Sequence, residues 1–310
     1  GNLGMYRLQR YDDASTGMHW QIEKGGGFHF KQAVALGKPL PISVALGGPP
    51  ALTLAAIAPL PEGVDERLFA ALILGKPLEV LQRKTTGHRV SSQVEFLLEG
   101  SVAAGDLRRE GPFGDHLGHY SHSADFPVFR VDRVLARKDA IYPATVVGKP
   151  PQEDFYIGNA LQELCIPFLK MLKHAVVDLW SYAESGFHPL VAMSVRQRYG
   201  REALKHAFGL LGEGQLSLTK VLMVCDDEVD VRDFYAVSRA LREHLDPMDG
   251  LHLMAPTAQD TLDFTGPAIN FGSRLLLLAN RGKNSPLRPA PPPPPNPGEV
   301  HSAIRELRAF

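Results

Sequence analysis

The chain has 310 residues, with 33 lysines and arginines against 34 aspartates and glutamates, a formal net charge of -1. That length suits two domains with a large buried core, and a balanced charge argues against a general nucleic-acid binder, whose footprint is a basic excess. Two cysteines, Cys165 and Cys225, exclude a disulfide framework and fit a reducing, cytoplasmic setting.

No apolar run approaches the roughly 18 residues of a membrane-spanning helix. The opening stretch, GNLGMYRLQRYDD, lacks the basic start and apolar segment of an export signal. It also starts without a methionine or polar leader, so a further segment is expected upstream. Residues 1–150 read mostly as strands and turns. Short apolar stretches at 41–47, 93–100, 127–136 and 140–148 are separated by Gly, Pro and charged residues, with partial period-2 alternation. A helix is expected over 65–75, opened by acidic residues, closed by Gly75, with Leu68, Leu72 and Leu74 on its apolar face.

After Pro150-Pro151 the pattern changes. Residues 157–175 read as helix, 189–197 as strand, 201–212 as helix, 220–226 as buried strand and 231–245 as helix. Such alternation predicts an α/β domain with a largely parallel sheet. Eight of the 25 prolines then fall between Pro286 and Pro297, a stiff spacer leading to a last helix. Its Val300, Ile304, Leu307 and Phe310 form one stripe, suited to packing on a neighbouring subunit.

Four groups of residues carry chemistry. Glu110-Gly-Pro-Phe-Gly-Asp115 by itself reads as a stiff Gly/Pro turn between strands with two solvated acids; the alternative is a bend presenting two carboxylates to one cavity, where burial would raise one pKa enough for proton donation. Lys24-Gly25-Gly26-Gly27 lacks the spacing of a phosphate-binding loop and reads as a hairpin turn, with a phosphate cradle as the alternative. His116, His119 and His122 have zinc-like composition, but Gly118 and the flanking residues read as strand or loop. Cys225-Asp-Asp-Glu-Val-Asp230 follows a strand and reads as a cap for the next helix, with a cation site as the alternative.

In this order, these pieces resemble the UbiD-like family of prenylated-flavin-dependent decarboxylases, from Asn2 to about Leu278. The strongest stretches are NLGMYRLQ (2–9), MHWQIEKGGGFH (18–29), PISVALGGPPA (41–51), EFLLEG through EGPFGDHLGHY (95–120), FPVFRV (126–131), IYPATVVGKPPQED (141–154) and VCDDEVDVRDF (224–234). The resemblance implies a mixed α+β and α/β fold. A split β-barrel of the flavin-reductase kind would span 1–155 and hold flavin and metal, an α/β domain 156–284, and the Pro-rich arm with its helix 285–310. The family's N-terminal domain would be absent from this chain.

The resemblance also implies roles. Asn2 and Glu66 (or Glu62) would bind a divalent Mn²⁺ or Mg²⁺, with K⁺ as a further ion. Met5, Tyr6, Arg7, His19, Trp20, Gln21, Lys24 and Gly25 would contact prenylated FMN together with the two metal residues. Asp115 would protonate the product, and Glu110 and Arg7 would complete a Glu–Arg–acid network. The implied reaction is non-oxidative decarboxylation of an aromatic hydroxy acid in ubiquinone or menaquinone biosynthesis. The implied partners are an aromatic carboxylic acid, further copies of the chain through the C-terminal helix, and a membrane surface if the substrate is polyprenylated. A non-catalytic flavin-binding or assembly chain is the alternative. Two features depart from the family: relatives carry a metal-ligating histidine where this chain has Gly26-Gly27, His29 being out of register, and LLLLANRGK (275–283) keeps little of a late motif, leaving Arg274 and Lys283 as phosphate partners.

Overall fold

The computed structural model describes residues 3–21, 24–60, 63–149 and 152–281. Asn2, Glu62, Lys283, the Pro-rich arm and the final helix lie outside the described residues.

The chain begins with β1 (Arg10–Asp12) and β2 (Ser15–Gly17), then α1 (Gly25–Ala35), β3 (Leu40–Leu46), α2 (Pro50–Ile57) and α3 (Glu66–Leu74). The short pair β4 (Val80–Gln82) and β5 (Arg89–Ser91) precedes a long hairpin, β6 (Phe96–Glu110) and β7 (Ala124–Ala136). Five strands form one antiparallel sheet in the order β1-β2-β7-β6-β3. Among the described residues this sheet is not closed into a barrel. Closure needs its two edges to pair, and β1, with three residues, is too short to carry a ladder against β3. Met18, Val102 and Phe129 are buried on one side, against Trp20, Ile42, Val44 and Leu98.

Most first-half expectations are met: 41–47 is β3, 127–136 lies in β7, and 93–100 opens the longer β6. Residues 140–148 are not a strand. Ile141 and Val146 are 72% and 79% exposed, because the segment leaves β7 over the surface with no neighbouring ladder, and β-branched residues make a strand only against a partner. The helix expected at 65–75 is α3, with Asp65 accepting from the Arg67 amide and Gly75 closing it at φ 65. Its buried face is Phe69 and Ala70, not Leu68 and Leu72, which stay exposed. The difference follows from the partners: Phe69 and Ile73 meet α2 and Phe168, whereas none of the described residues covers the other side.

The second half contains α4 (Glu153–Leu172), β8 (Val176–Ser181), β9 (Leu190–Val195), α5 (Glu202–Leu211), β10 (Val221–Asp226), α6 (Phe234–His244), the short α7 (Pro247–Gly250), β11 (Leu251–Ala258) and β12 (Phe271–Ala279). Their sheet runs β11-β12-β10-β9-β8. The central β9, β10 and β12 are parallel, as the alternation predicts; β8 and β11 are antiparallel edges that the pattern did not reveal. Leu222 to Cys225 are all buried, as expected of a strand covered on both faces. Val191, Met193, Leu222 and Val224 face α5, while Ala192, Met223 and Cys225 face α6. Helix α4 joins the two halves: Ile166 enters the second core, and Leu164 and Cys165 pack on Ala55 and Phe69 of the first.

The acidic run after β10 does not cap α6. That cap is Asp233, which accepts from the Tyr235 amide. A turn separates the run from the helix, and its acids are used elsewhere: Asp226 accepts from the Arg281 amide, Asp227 pairs with Arg196, and Asp230 accepts from the Arg232 amide. Cys225 is wholly buried, and burial pushes its thiol up to about 12.

Candidate active site

The first sheet brings three separate segments together. Gly17 donates its amide to Gln9 O at 2.7 Å and His19 donates to Arg7 O at 3.2 Å, so residues 7–9 run beside 17–19. Met18 donates to Pro127 O at 2.9 Å, joining this pair to β7. The Gln9 side chain accepts from the Gly111 amide at 2.8 Å and ties the bend after β6 to the same place.

Glu110 ends β6, opposite Ala124. The chain then turns at Gly111, where φ is 86, and folds back on itself: Ser121 donates to Phe113 O and the Asp115 amide to His119 O. Both carboxylates are buried, Glu110 at 1% and Asp115 at 3% exposure, so the bend is not a solvated turn.

His19 lies between Glu110 and Arg7. Its Nδ1 is 2.8 Å from Glu110 Oε1, and its Nε2 is 3.2 Å from an Arg7 terminal nitrogen and 3.2 Å from Gln21 Nε2. The resemblance implied a Glu–Arg–acid network; among the described residues Arg7 makes no ion pair with Glu110 or Asp115, and the hydrogen bonds that link it to Glu110 pass through the His19 imidazole. The Arg7 guanidinium stacks 3.7 Å above the Phe113 ring, and Phe126 packs against His19 at 4.3 Å between ring centres. Burial lowers the Arg7 pKa, while the charges of Glu110 and Asp115 act the other way. Phe113 and Phe126 were not among the expected site residues. Phe113 had a signal, being the one aromatic in the Gly/Pro bend; Phe126 had none.

Asp115 Oδ1 accepts from the amides of Leu117 (2.9 Å) and His119 (3.2 Å). Its Oδ2 is buried and has no partner, as is true of Glu110 Oε2 and Arg7 Nε. Buried polar atoms are nearly always hydrogen-bonded, and both acids lie close enough for their charges to act on Arg7.

The glycine run is not a hairpin: Gly25, Gly26 and Gly27 form the first turn of α1, with Lys24 as its N-cap. A Cβ on Gly26 would lie 2.4 Å from Trp20 Nε1, and the Gly26 amide donates to Tyr6 Oη at 2.8 Å. Glycine is thus required by the close approach of an indole, not by a turn. Tyr6 and Trp20 meet edge to face, and Trp20 Nε1 is buried without a partner. Burial raises the Tyr6 pKa. Met5 is 47% exposed. Lys24 turns towards the second half, where its Nζ donates to Gln215 Oε1 at 3.0 Å; burial lowers its pKa, opposed by Asp260.

Glu66, at the start of α3, accepts from the Leu3 amide at 3.1 Å, 63 residues away in sequence. The N-terminal motif and α3 therefore converge. Asn2 itself lies outside the described residues. No group of three or more His, Cys, Asp or Glu among the described residues could hold a metal, so the histidines at 116, 119 and 122 do not form a zinc site. Arg274 donates to Leu211 O and Ala258 O, a structural use within the second half. A cleft of about 470 Å³ beside Glu163 and Arg232 and a cavity of about 70 Å³ beside His116 and Asp154 lie apart from Arg7 and Glu110.

Two family models cover almost all of the described chain. The 3-octaprenyl-4-hydroxybenzoate carboxy-lyase Rift-related domain matches residues 1–150, and the C-terminal domain of the same family matches 155–279. The chain belongs to the UbiD family. A protein of Chlamydia pneumoniae named as one subunit of a 4-hydroxybenzoate decarboxylase is 52% identical over 89% of this chain and 47% of its own length. An uncharacterized protein of Chlamydia trachomatis is 48% identical over 94% of this chain and 50% of its own. The chain thus spans about half the length of these curated relatives. Among solved structures, the vanillic acid decarboxylase of Sedimentibacter hydroxybenzoicus in its closed form superposes with TM-score 0.82 at 25% identity, covering 99% of this chain and 66% of that one. A UbiD-class enzyme of Pelotomaculum thermopropionicum, in complex with FMN, gives 0.78 at 23% identity, covering 98% and 67%, and supports the fold alone. Among the described residues, no helix is long and apolar enough to cross a membrane.

Proposed function

We propose that this chain carries the cofactor-binding and proton-transfer centre of a non-oxidative carboxy-lyase acting on an aromatic hydroxy acid. The observation that carries the reading is the pair of buried carboxylates, Glu110 and Asp115, each with one unpartnered oxygen, beside the Arg7 guanidinium. Family membership supports it, as do the decarboxylase names of the Chlamydia pneumoniae and Sedimentibacter relatives.

Prenylated FMN, when bound, supplies the electron sink that decarboxylation at an sp² carbon needs and that no side chain provides. The residues present fit it: Arg7 Nε and Trp20 Nε1 are buried donors without acceptors, with His19 beside Arg7, Gln21 beside His19 and Tyr6 beside Trp20; Met5, Lys24 and Gly25 are proposed as further contacts. Asn2 and Glu66 would hold Mn²⁺ or Mg²⁺ against the cofactor phosphate, with K⁺ as a further ion. Arg7 receives the substrate carboxylate through its planar fork of donors. Asp115 Oδ2 hands a proton to the carbon that CO₂ leaves, and Glu110 holds the network in place as a buried acceptor.

Within the proposal, 1–155 forms the flavin- and metal-binding unit of split-barrel type, and 156–284 the α/β unit. The arm and helix at 285–310 join neighbouring copies of the chain. The substrate is a hydroxybenzoate with a polyprenyl tail or a dihydroxynaphthoate of quinone biosynthesis, the former requiring contact with a membrane surface.

The test is reconstitution with prenylated FMN and Mn²⁺, following CO₂ release and solvent deuterium exchange at the substrate carbon. Asp115→Asn is expected to lower the rate by about 100-fold or more; a rate within a few-fold of wild type would show that Asp115 is not the donor. Bound flavin without turnover in the wild-type chain would favour a flavin-binding or assembly role instead.

A further inference from the structure

Glu110 and Arg7 lie on different segments and do not touch; the hydrogen bonds that link them pass through one imidazole. Arginine has donors only, so the nitrogen facing Arg7, His19 Nε2, must accept. The proton therefore sits on Nδ1 and is donated to Glu110 Oε1 at 2.8 Å. The side chain is held in that orientation: it is 10% exposed, Phe126 packs on its face, Gln21 approaches Nε2 as a second donor, and Glu110 is wholly buried. A flipped ring would direct carbon, or a second N–H, at the guanidinium.

We propose that His19 is a positioning residue of the decarboxylation centre, a bridge locked in the Nδ1–H tautomer that couples the orientation of Arg7 to that of Glu110. Glu110 acts on the tautomer, the tautomer makes Nε2 an acceptor, and that acceptor aims one arm of Arg7 while Phe113 fixes its plane. Arg7 Nε stays unpartnered, and Glu110 Oε2 faces Gly17. The inference deepens the decarboxylase reading, but only its kinetic consequence rests on that reading.

Two measurements on the full chain test it. Histidine-selective ¹⁵N NMR at neutral pH, with the His19 signal assigned by its loss in His19→Asn, is expected to show a protonated Nδ1 and an unprotonated Nε2. The opposite tautomer, or fast exchange between the two, would overturn the bridge whether or not the chain is an enzyme. In the loaded protein, His19→Asn keeps a donor near Nδ1 but removes the acceptor for Arg7. It is expected to lower kcat about tenfold or more with KM within about twofold. Glu110→Gln is expected to act in the same step, so the double variant should lose about as much as the worse single variant. An unchanged kcat in His19→Asn, or losses that multiply in the double variant, would overturn the proposal. If the wild-type chain shows no turnover, the decarboxylase reading fails, and the tautomer decides the bridge by itself.

Discussion

A side chain at Gly17 would occupy the place of the Glu110 carboxylate: its Cβ would lie 2.2 Å from Glu110 Oε2 and 2.9 Å from Tyr11 Oη. Gly17 is on β2 and Glu110 ends β6, so a small residue in one strand makes room for a buried acid in another. The unpartnered Oε2 is thus held by shape on one side and by the His19 bond to Oε1 on the other.

Gly17→Ala therefore tests whether that space matters for chemistry more than for folding. The clash falls on the end of a side chain that can yield, so a stability loss of about 1–3 kcal/mol is expected. The displaced carboxylate should lower the decarboxylation rate by at least about tenfold. Thermal unfolding and the deuterium-exchange assay on the same sample check both.

Gly26→Ala is expected to weaken cofactor binding specifically. The new methyl would meet Trp20 Nε1 at 2.4 Å and Tyr6 Oη at 2.9 Å, pushing apart the two aromatics that pack at the start of α1. Alanine favours the helix by about 1 kcal/mol, so overall stability should change little or fall slightly, while flavin affinity should fall by about tenfold or more. Titration with FMN, read by fluorescence, separates the two effects.

Acid should loosen both halves through a buried glutamate in each. Glu99 on β6 takes two hydrogen bonds from Arg83, and these bonds hold it at about 2, against 4.5 for the free side chain. Glu202 at the start of α5 is held at about 2 by Arg198 in the same way. Because the folded values lie below the unfolded one, the stabilisation is complete above pH 4.5 and is lost as pH falls from there towards 2. Glu99→Gln should cost about 1–3 kcal/mol at neutral pH, with the difference from wild type shrinking in acid. Urea unfolding across that range measures it, and a difference independent of pH would contradict the assignment.

Much of the fold could be read along the chain because it depends on neighbours in sequence. Asp65 and Gly75 bracket α3 through bonds that reach only a turn away. The apolar runs of β9 and β10 announce strands buried on both faces. The run at 140–148 misled for the complementary reason: its composition favours extended backbone, but strand formation needs a partner that folding placed elsewhere. The glycine run misled likewise, since Gly26 in α1 is required by the close approach of an indole six residues upstream in chain.

The sequence alone determined which residues are candidates for the site: the stiff bend with Glu110 and Asp115, the basic and aromatic residues of 5–7 and 19–21, and, through the resemblance, Glu66, which accepts from the Leu3 amide. It also determined the family, because long ordered motifs survive in linear form. Only the tertiary structure decided how the parts connect. His19 and Glu110 are 91 residues apart, and nothing local to either says that an imidazole stands between acid and guanidinium. Hydrogen bonds act over about 3 Å, a distance that sequence spacing encodes within a turn or helix but that only the register of β2, β6 and β7 sets between distant segments.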